Sequence, residues 1–423
     1  MSETLNFDCI VIGGGLSGLT TTLALSKIGL AVAVIDKTSL EATRKNDGDQ
    51  RTTAISASGK KIFEALGVWA QVENSAEPIL DIVVSEKGKK GYLTFDHRTV
   101  GSEPMGHIVD NVKLKNSLVS NIKNQKNVQL LPYKGLDNFF SDAGAVTINL
   151  DDGTSYNAAL LVAADGRNSV ARRIAKIKST NIDYRQSSIV FTVRHKNPHK
   201  GVAYEQFTPG GPIASLPMKG NQSSMVWSED TEVVKSLMQL DDEDFAAAAS
   251  YRLNDCLGKM IIISERKVFP LSLTYADTII ADRFAMVGDA AHGLHPIAGQ
   301  GFNLGLRDIA NLIEEISNAR RLGLDIGSFE TLRSYQATRR LVHFSLVGDD
   351  DGSLAECDSF QLSAALHSVA AGSLLSEGAL SGLRMGRRNV SLTGMLIFLQ
   401  GRSWNGTCGW GTLCCYSATS WWG

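Results

Sequence analysis

The sequence lacks most of what marks a secreted, membrane-spanning or nucleic-acid-binding chain. Six cysteines in 423 residues are too few and too scattered for a disulfide framework. Neither a CxxC pair nor clustered histidines accompany them, so no metal site is expected. Cys9 sits inside an apolar run and Cys256 stands alone, while Cys357, Cys408, Cys414 and Cys415 fall near the C-terminus. All six read as incidental thiols. No apolar stretch is long enough to cross a bilayer, and the first residues show no basic segment followed by an apolar run. The default location is the cytoplasm. A formal net charge of -2 without any Lys/Arg-rich run gives no reason to expect a nucleic-acid partner. Internal repeats and low-complexity linkers are also missing.

What is present is the composition of an ordinary soluble globular protein, 43% hydrophobic and 20% charged, in a chain long enough for two or three domains. Residues 7–12 form a short apolar run that ends in glycines and reads as a buried strand. Residues 16–28 follow with helical spacing, and Gly29 stands where a helix would stop. A second apolar strand at 31–35 ends in Asp36, completing a βαβ unit with a parallel sheet. Ile62, Phe63 and Leu66 mark another helix. Strands are expected at 79–85, 92–95, 128–131, 146–150, 160–164 and 285–287, with strand-rich text over 187–226 and a helix from about Phe302.

The chemistry-bearing residues sit at the ends of these strands. Gly13-x-Gly15-x-x-Gly18 lies between strand and helix, the context this motif requires. Gly13 permits the tight turn, Gly15 lets backbone approach a pyrophosphate, and Gly18 allows close helix–sheet packing. Amides at the helix start then face the anion. Asp36 is placed to accept hydrogen bonds from a ribose. This motif alone does not separate FAD from NAD. Asp165-Gly166 adds an Asp-Gly turn at a strand end, with Arg167 and Arg172 nearby. Gly288-Asp289 adds a carboxylate suited to a ribityl hydroxyl. His295-Pro296-Ile297-Ala298-Gly299-Gln300-Gly301-Phe302-Asn303 then offers a backbone-exposing loop before a helix, fit to meet an electron-rich ring.

With these segments in view, the chain resembles the class A FAD-dependent aromatic hydroxylases, and within them the ubiquinone-biosynthesis hydroxylases. Residues 295–308 carry the most specific likeness. Asp49-x-Arg51-Thr52-Thr53-Ala54-Ile55-Ser56, Gly106-His107-Ile108-Val109-Asp110-Asn111 and Ala203-Tyr204-Glu205-Gln206-Phe207 add to it. The resemblance covers roughly residues 8–340 and implies an α/β fold, a Rossmann-like FAD-binding domain of para-hydroxybenzoate hydroxylase type with an inserted β-rich substrate domain. The expected FAD-binding domain comprises 5–75, 100–180 and 275–340, and the substrate domain 76–99 and 181–274. By resemblance Arg51 contacts the FAD phosphates, Asp165 and Gly166 serve both FAD and NAD(P)H, Asp289 binds the ribityl chain, and Gly288 is a further cofactor-binding residue. Gly301 and Asn303 complete the cofactor set. Pro296, Gly299, Gln300 and Gly301 form the flavin and oxygen pocket.

The implied reaction uses NAD(P)H as co-substrate and O2 to hydroxylate a polyprenylated phenol of ubiquinone biosynthesis through a flavin C4a-hydroperoxide. Such a lipid-like substrate implies peripheral contact with the inner membrane or with a quinone-biosynthesis complex. No basic amphipathic helix in the sequence supports that contact independently. Two other readings stay open at this stage: a reductase on the same scaffold, and a non-catalytic scaffold protein. A halogenase would carry Trp-x-Trp-x-Ile-Pro, which is missing. His292 and His295 read as packing residues rather than bases. On the substrate sheet Ile189, Phe191, Phe207, Ile213, Leu216 and Met225 are apolar, most of them core. Past residue 341 the text changes character. The last lysine is Lys267, and the end is Trp421-Trp422-Gly423. This atypical tail, residues 341–423, is expected to be poorly ordered, either a divergent helical end or the product of a shifted reading frame.

Overall fold

The computed structural model describes residues 6–37, 51–89, 91–99, 101–131, 135–295 and 299–347, with backbone only for residues 6, 300 and 340–347. Of the tail expected over residues 341–423, residues 341–347 end helix Phe329–Val347, and residues 348–423 lie outside the described residues.

One sheet has eight strands. Its path runs Ile280–Ala281, Phe284–Met286, Ser155–Ala163, Asn6–Ile12, Val32–Ile35 and Val128–Leu130, with Val146–Leu150 and Leu136–Ser141 folded back beside it. The strands from Phe284–Met286 to Val128–Leu130 are parallel, in the register Cys9 to Leu160 and Ile12 to Ile35. Such strands are covered on both faces, which is why they read as unbroken apolar runs rather than alternating ones. Helix Leu16–Lys27 covers one face. It buries Thr20, Thr21 and Thr22, whose hydroxyls bond back to Leu16 O (2.7 Å), Ser17 O (2.8 Å) and Gly18 O (2.8 Å). Back-bonding satisfies three hydroxyls that burial would otherwise orphan.

A second, nine-stranded sheet includes Ser179–His195, Gln222–Asp230, Ile213–Met218, Val202–Phe207, Asp81–Glu86 and Lys267–Ala276. It obeys the two-residue period of half-covered sheets. Ile189, Phe191, Val193, Ile213, Met225 and Trp227 pack on one face with Phe245 and Ala249 of helix Asp242–Arg252. The residues one step away point to the opposite face.

Some boundaries shift. The strand expected at 79–85 splits at Leu80, giving Glu77–Ile79 in a small third sheet and Asp81–Glu86 in the second. Leu80 N donates to Gly201 O at 2.8 Å, so the chain changes sheets at that residue. The strand expected at 160–164 is longer, Ser155–Ala163, because its first half pairs with Val146–Leu150 rather than only with parallel neighbours. The helix expected from about Phe302 begins earlier, Gln300–Arg321. The helices Asn111–Lys123, Asp242–Arg252 and Phe329–Val347 were not anticipated.

Candidate active site

The glycine turn is built by exclusion. Gly13 holds φ +114°, and a Cβ there would lie 2.4 Å from Ala164 O. A Cβ on Gly18 would lie 1.8 Å from Gly13 O. At Gly15 the corresponding position is open, with nothing within 4 Å, and this residue, with Leu16 and Ser17, lines a cavity of about 730 Å³. No side chain caps the helix start at Gly15, so its leading amides are available to an anion. Gly14 N donates to Asp36 Oδ2, which ties the end of the second strand to the turn. This is a cradle shaped for a pyrophosphate, and the residues present fit a bound dinucleotide.

Asp165 and Gly166 divide their work. Asp165 Oδ2 accepts from Val170 N (2.7 Å) and Ala171 N (3.1 Å), capping helix Val170–Ile174. Gly166, at φ +82°, reaches the cavity. The neighbouring arginines are tethers. Arg167 donates to Ser272 O (2.9 Å) and Leu294 O (2.9 Å), and buried Arg172 donates to Ala290 O (2.7 Å). Arg51 lines the cavity with its guanidinium 5.5 Å from the Phe269 ring centroid.

Gly288 and Asp289 occupy a 3₁₀ turn, Gly288–Ala290, after strand Phe284–Met286. Gly288 is at φ +60°, and a Cβ there would press on Ser17 Oγ at 2.9 Å. Half-buried Asp289 faces the cavity. Behind the turn lies a buried charged network. Asp308, fully buried, accepts from Gly288 N at 3.0 Å, from Arg339 Nε at 2.6 Å, and pairs with His292 Nε2. Tyr335 donates to Met286 O at 2.8 Å. His292 therefore holds the loop, in line with the packing role expected of it. The network itself was not foreseen, although Asp308 falls inside the most specific sequence segment.

His295 is different, because it lines the cavity. Its ring meets Tyr184 edge-on with centroids 5.2 Å apart, and Nε2 lies 3.3 Å from Gln186 Oε1. Burial, with help from the Arg167 charge, pushes its pKa down to about 4, so the imidazole is neutral near pH 7.

Of the loop expected to line the ring pocket, Gly299 and Gly301 reach the cavity. Gly299 starts the long helix in the left-handed region at φ +62°. Asn303 is spent elsewhere: its amide donates to Ala54 O at 2.7 Å and accepts from Ser56 N at 2.9 Å, stapling the helix to strand Thr52–Ser56. Pro296 and the side chain of Gln300 lie outside the described residues.

The opposite wall of the cavity is the free face of the second sheet. Leu216 lines it, but Ile189, Phe191, Ile213 and Met225 lie in the helix-backed core. Their sequence neighbours Ser188, Val190, Ala214, Ser224 and Val226 line the cavity instead, together with Glu205. Sequence reasoning missed these residues, and the two-residue period was the signal that would have found them. Lys115 and Asn111, from the start of helix Asn111–Lys123, also reach the cavity unpredicted.

A family model described as "FAD binding domain" matches residues 6–348. The ubiquinone hydroxylase UbiL of Rhodospirillum rubrum is 39% identical over 333 residues, covering 79% of this chain and 77% of that protein. The 3-demethoxyubiquinol 3-hydroxylase of Escherichia coli is 30% identical over 345 residues, covering 81% and 88%. Among solved structures, pqsL of Pseudomonas aeruginosa, a probable FAD-dependent monooxygenase, superposes with a TM-score of 0.72 at 22% identity over 86% of this chain and 99% of that one. This likeness speaks for the fold.

Proposed function

The chain belongs to the FAD-binding-domain family, in its ubiquinone-hydroxylase branch, and from that premise we propose that it hydroxylates the aromatic ring of a polyprenylated phenol in ubiquinone biosynthesis, using NAD(P)H and O2. It is an FAD-dependent monooxygenase. The observation that carries the substrate reading is the unlike pair of walls around one cavity. One wall offers open backbone, Arg51 and Asp289; the other offers Val190, Ala214, Leu216 and Val226.

FAD, when bound, supplies the electron transfer and oxygen activation. The chain's own residues hold, orient and keep dry. The turn at Gly13, Gly15 and Gly18 with Arg51 would take the pyrophosphate, Asp36 the ribose, and Asp289 a ribityl hydroxyl, with Gly166, Gly288, Gly299 and Gly301 giving close backbone approach. The aliphatic wall takes the prenylated ring and keeps water away from the reacting face. A prenyl chain also implies delivery from a membrane surface, and among the described residues no helix is long and apolar enough to cross one.

The test is NAD(P)H oxidation by the purified yellow protein with a prenylated phenol present. Substrate-stimulated oxidation with a ring-hydroxylated product supports the proposal. Oxidation that leaves the phenol unchanged would replace it with a reductase reading. The quinone precursor that accumulates when the gene is deleted identifies the step.

A further inference from the structure

We infer that Lys115 is a cofactor-holding residue of this chain, its ammonium completing the positive charge that faces the diphosphate of FAD. This role needs only bound FAD and holds whichever aromatic ring is hydroxylated.

Two helices begin at the cofactor wall. Helix Leu16–Lys27 leads into strand Val32–Ile35, and helix Asn111–Lys123 leads into Val128–Leu130, the parallel neighbour of that strand. The helices pack against each other. They also finish together, where Asn127 Nδ2 donates to Ser26 O at 2.9 Å and to Leu30 O at 2.7 Å. At 12 and 13 residues they are nearly equal in length, so their first turns stand side by side as well. The two starts differ. Asp110 Oδ1 accepts from Lys113 N at 3.1 Å and caps the second helix, whereas no side chain caps the first. The amides left open to an anion are those of the first helix.

Lys115 flanks that opening. It follows Asn111 by one turn on the same helix face, and both line the cavity together with Val112. Side chains on a helix lean toward its N-terminus, so a lysine in the second turn reaches back toward the start, here toward the cavity. Lys113, in the first turn, is exposed and does not line the cavity. Half-buried Lys115 carries three donors, and no hydrogen bond or ion pair within the protein occupies them. Arg167, also in the lining, is spent on Ser272 O and Leu294 O. Against a diphosphate of about two negative charges, the helix start supplies about half a charge and Arg51 one. About half a charge stays unmatched. Among the described lining residues Lys115 is the cation with no other commitment, and it stands beside the helix start that meets the anion.

The experiment titrates full-chain apoprotein with FAD at low salt, read from the quenching of flavin fluorescence. Lys115→Met keeps the helix propensity and the apolar stem and should raise Kd about 5- to 30-fold, the range of one charge-assisted contact at a partly exposed site. That loss should shrink as salt rises. Lys115→Arg should restore most of the affinity, and Lys113→Met on the same helix should bind FAD as the wild type does. Circular dichroism of the apoproteins reports folding; if the Met variant does not fold, Lys115→Gln makes the same comparison. A Lys115→Met protein with wild-type FAD affinity overturns the inference. An equal loss in Lys115→Arg overturns it in favour of a packing role, and an equal loss in Lys113→Met in favour of the general charge of the helix. Unchanged FAD affinity with weakened NAD(P)H binding to the FAD-loaded protein overturns it by moving Lys115 to the visiting dinucleotide.

Discussion

The two walls of the cavity recognise by opposite means. The wall around Gly13, Gly15, Gly166, Gly288 and Gly299 works by removing side chains so that backbone can approach a ligand. The sheet wall works by alternation, with Val190, Ala214, Leu216 and Val226 facing the cavity and Phe191, Ile213, Met225 and Trp227 facing the helices. Missing side chains leave a strict spacing: Gly13 and Gly288 answer a collision as well as a positive φ, Gly166 and Gly299 hold a positive φ, and Gly15 keeps the space before the helix open. Alternating side chains leave only a parity, which many sequences satisfy. One wall is therefore tuned to a fixed cofactor. The other can be re-cut for different substrates without disturbing the sheet.

This contrast can be broken most sharply at the turn. Gly18→Val should abolish accumulation of folded protein, because its Cβ would lie 1.8 Å from backbone. Gly15→Val should fold but elute colourless from gel filtration, since its Cβ meets nothing until a pyrophosphate arrives. A yellow Gly15→Val protein would remove that residue from the cofactor site. On the sheet, adjacent residues should separate stability from binding. Phe191→Ala, at 2% exposure, should cost about 3–5 kcal/mol in denaturant melts. Val190→Ala should cost below about 1.5 kcal/mol and instead raise KM for the prenylated phenol. Equal losses from both would break the alternation argument.

Asp289→Ala comes next in size. Losing one partner of a bound hydroxyl should weaken FAD retention by about 1–3 kcal/mol, measured by fluorescence on titrating apoprotein with FAD. Unchanged affinity would place the ribityl partner elsewhere. The last prediction concerns His295. Its folded pKa, about 4, lies below its ordinary 6.5. The unfolded chain therefore binds the extra proton first as pH falls, so stability is lost between about 6.5 and about 4 and levels off below. His295→Gln should flatten that part of the stability–pH curve. A curve unchanged by the substitution would mean that this imidazole titrates normally.

Legibility in the sequence follows the same division. The βαβ unit was readable because its strands are buried on both faces and its turn needs glycine at fixed places. Asp289 was readable because it follows a short apolar strand and a glycine. Asp165 shows the limit: the sequence marks the residue, and the structure adds that its Oδ2 caps helix Val170–Ile174 while Oδ1 is buried without a protein partner and the adjacent Gly166 meets the cavity. Asn303 shows it again, with its amide committed to strand Thr52–Ser56. The union of Asp308, Arg339, His292 and Gly288 joins residues far apart along the chain, and no local pattern announces it. The sheet wall was misread by one residue, because apolar character does not say which of two faces carries the ligand.

By itself, then, the sequence determined the backbone-lined half of this protein. Positive φ and close approach restrict the residue to glycine, and that restriction is local and visible. The tertiary structure alone decided which face of the second sheet meets the cavity and that Asp308 anchors the turn bearing Asp289. Those are matters of what packs behind each strand and helix, and a residue's own neighbours in the chain carry no record of them.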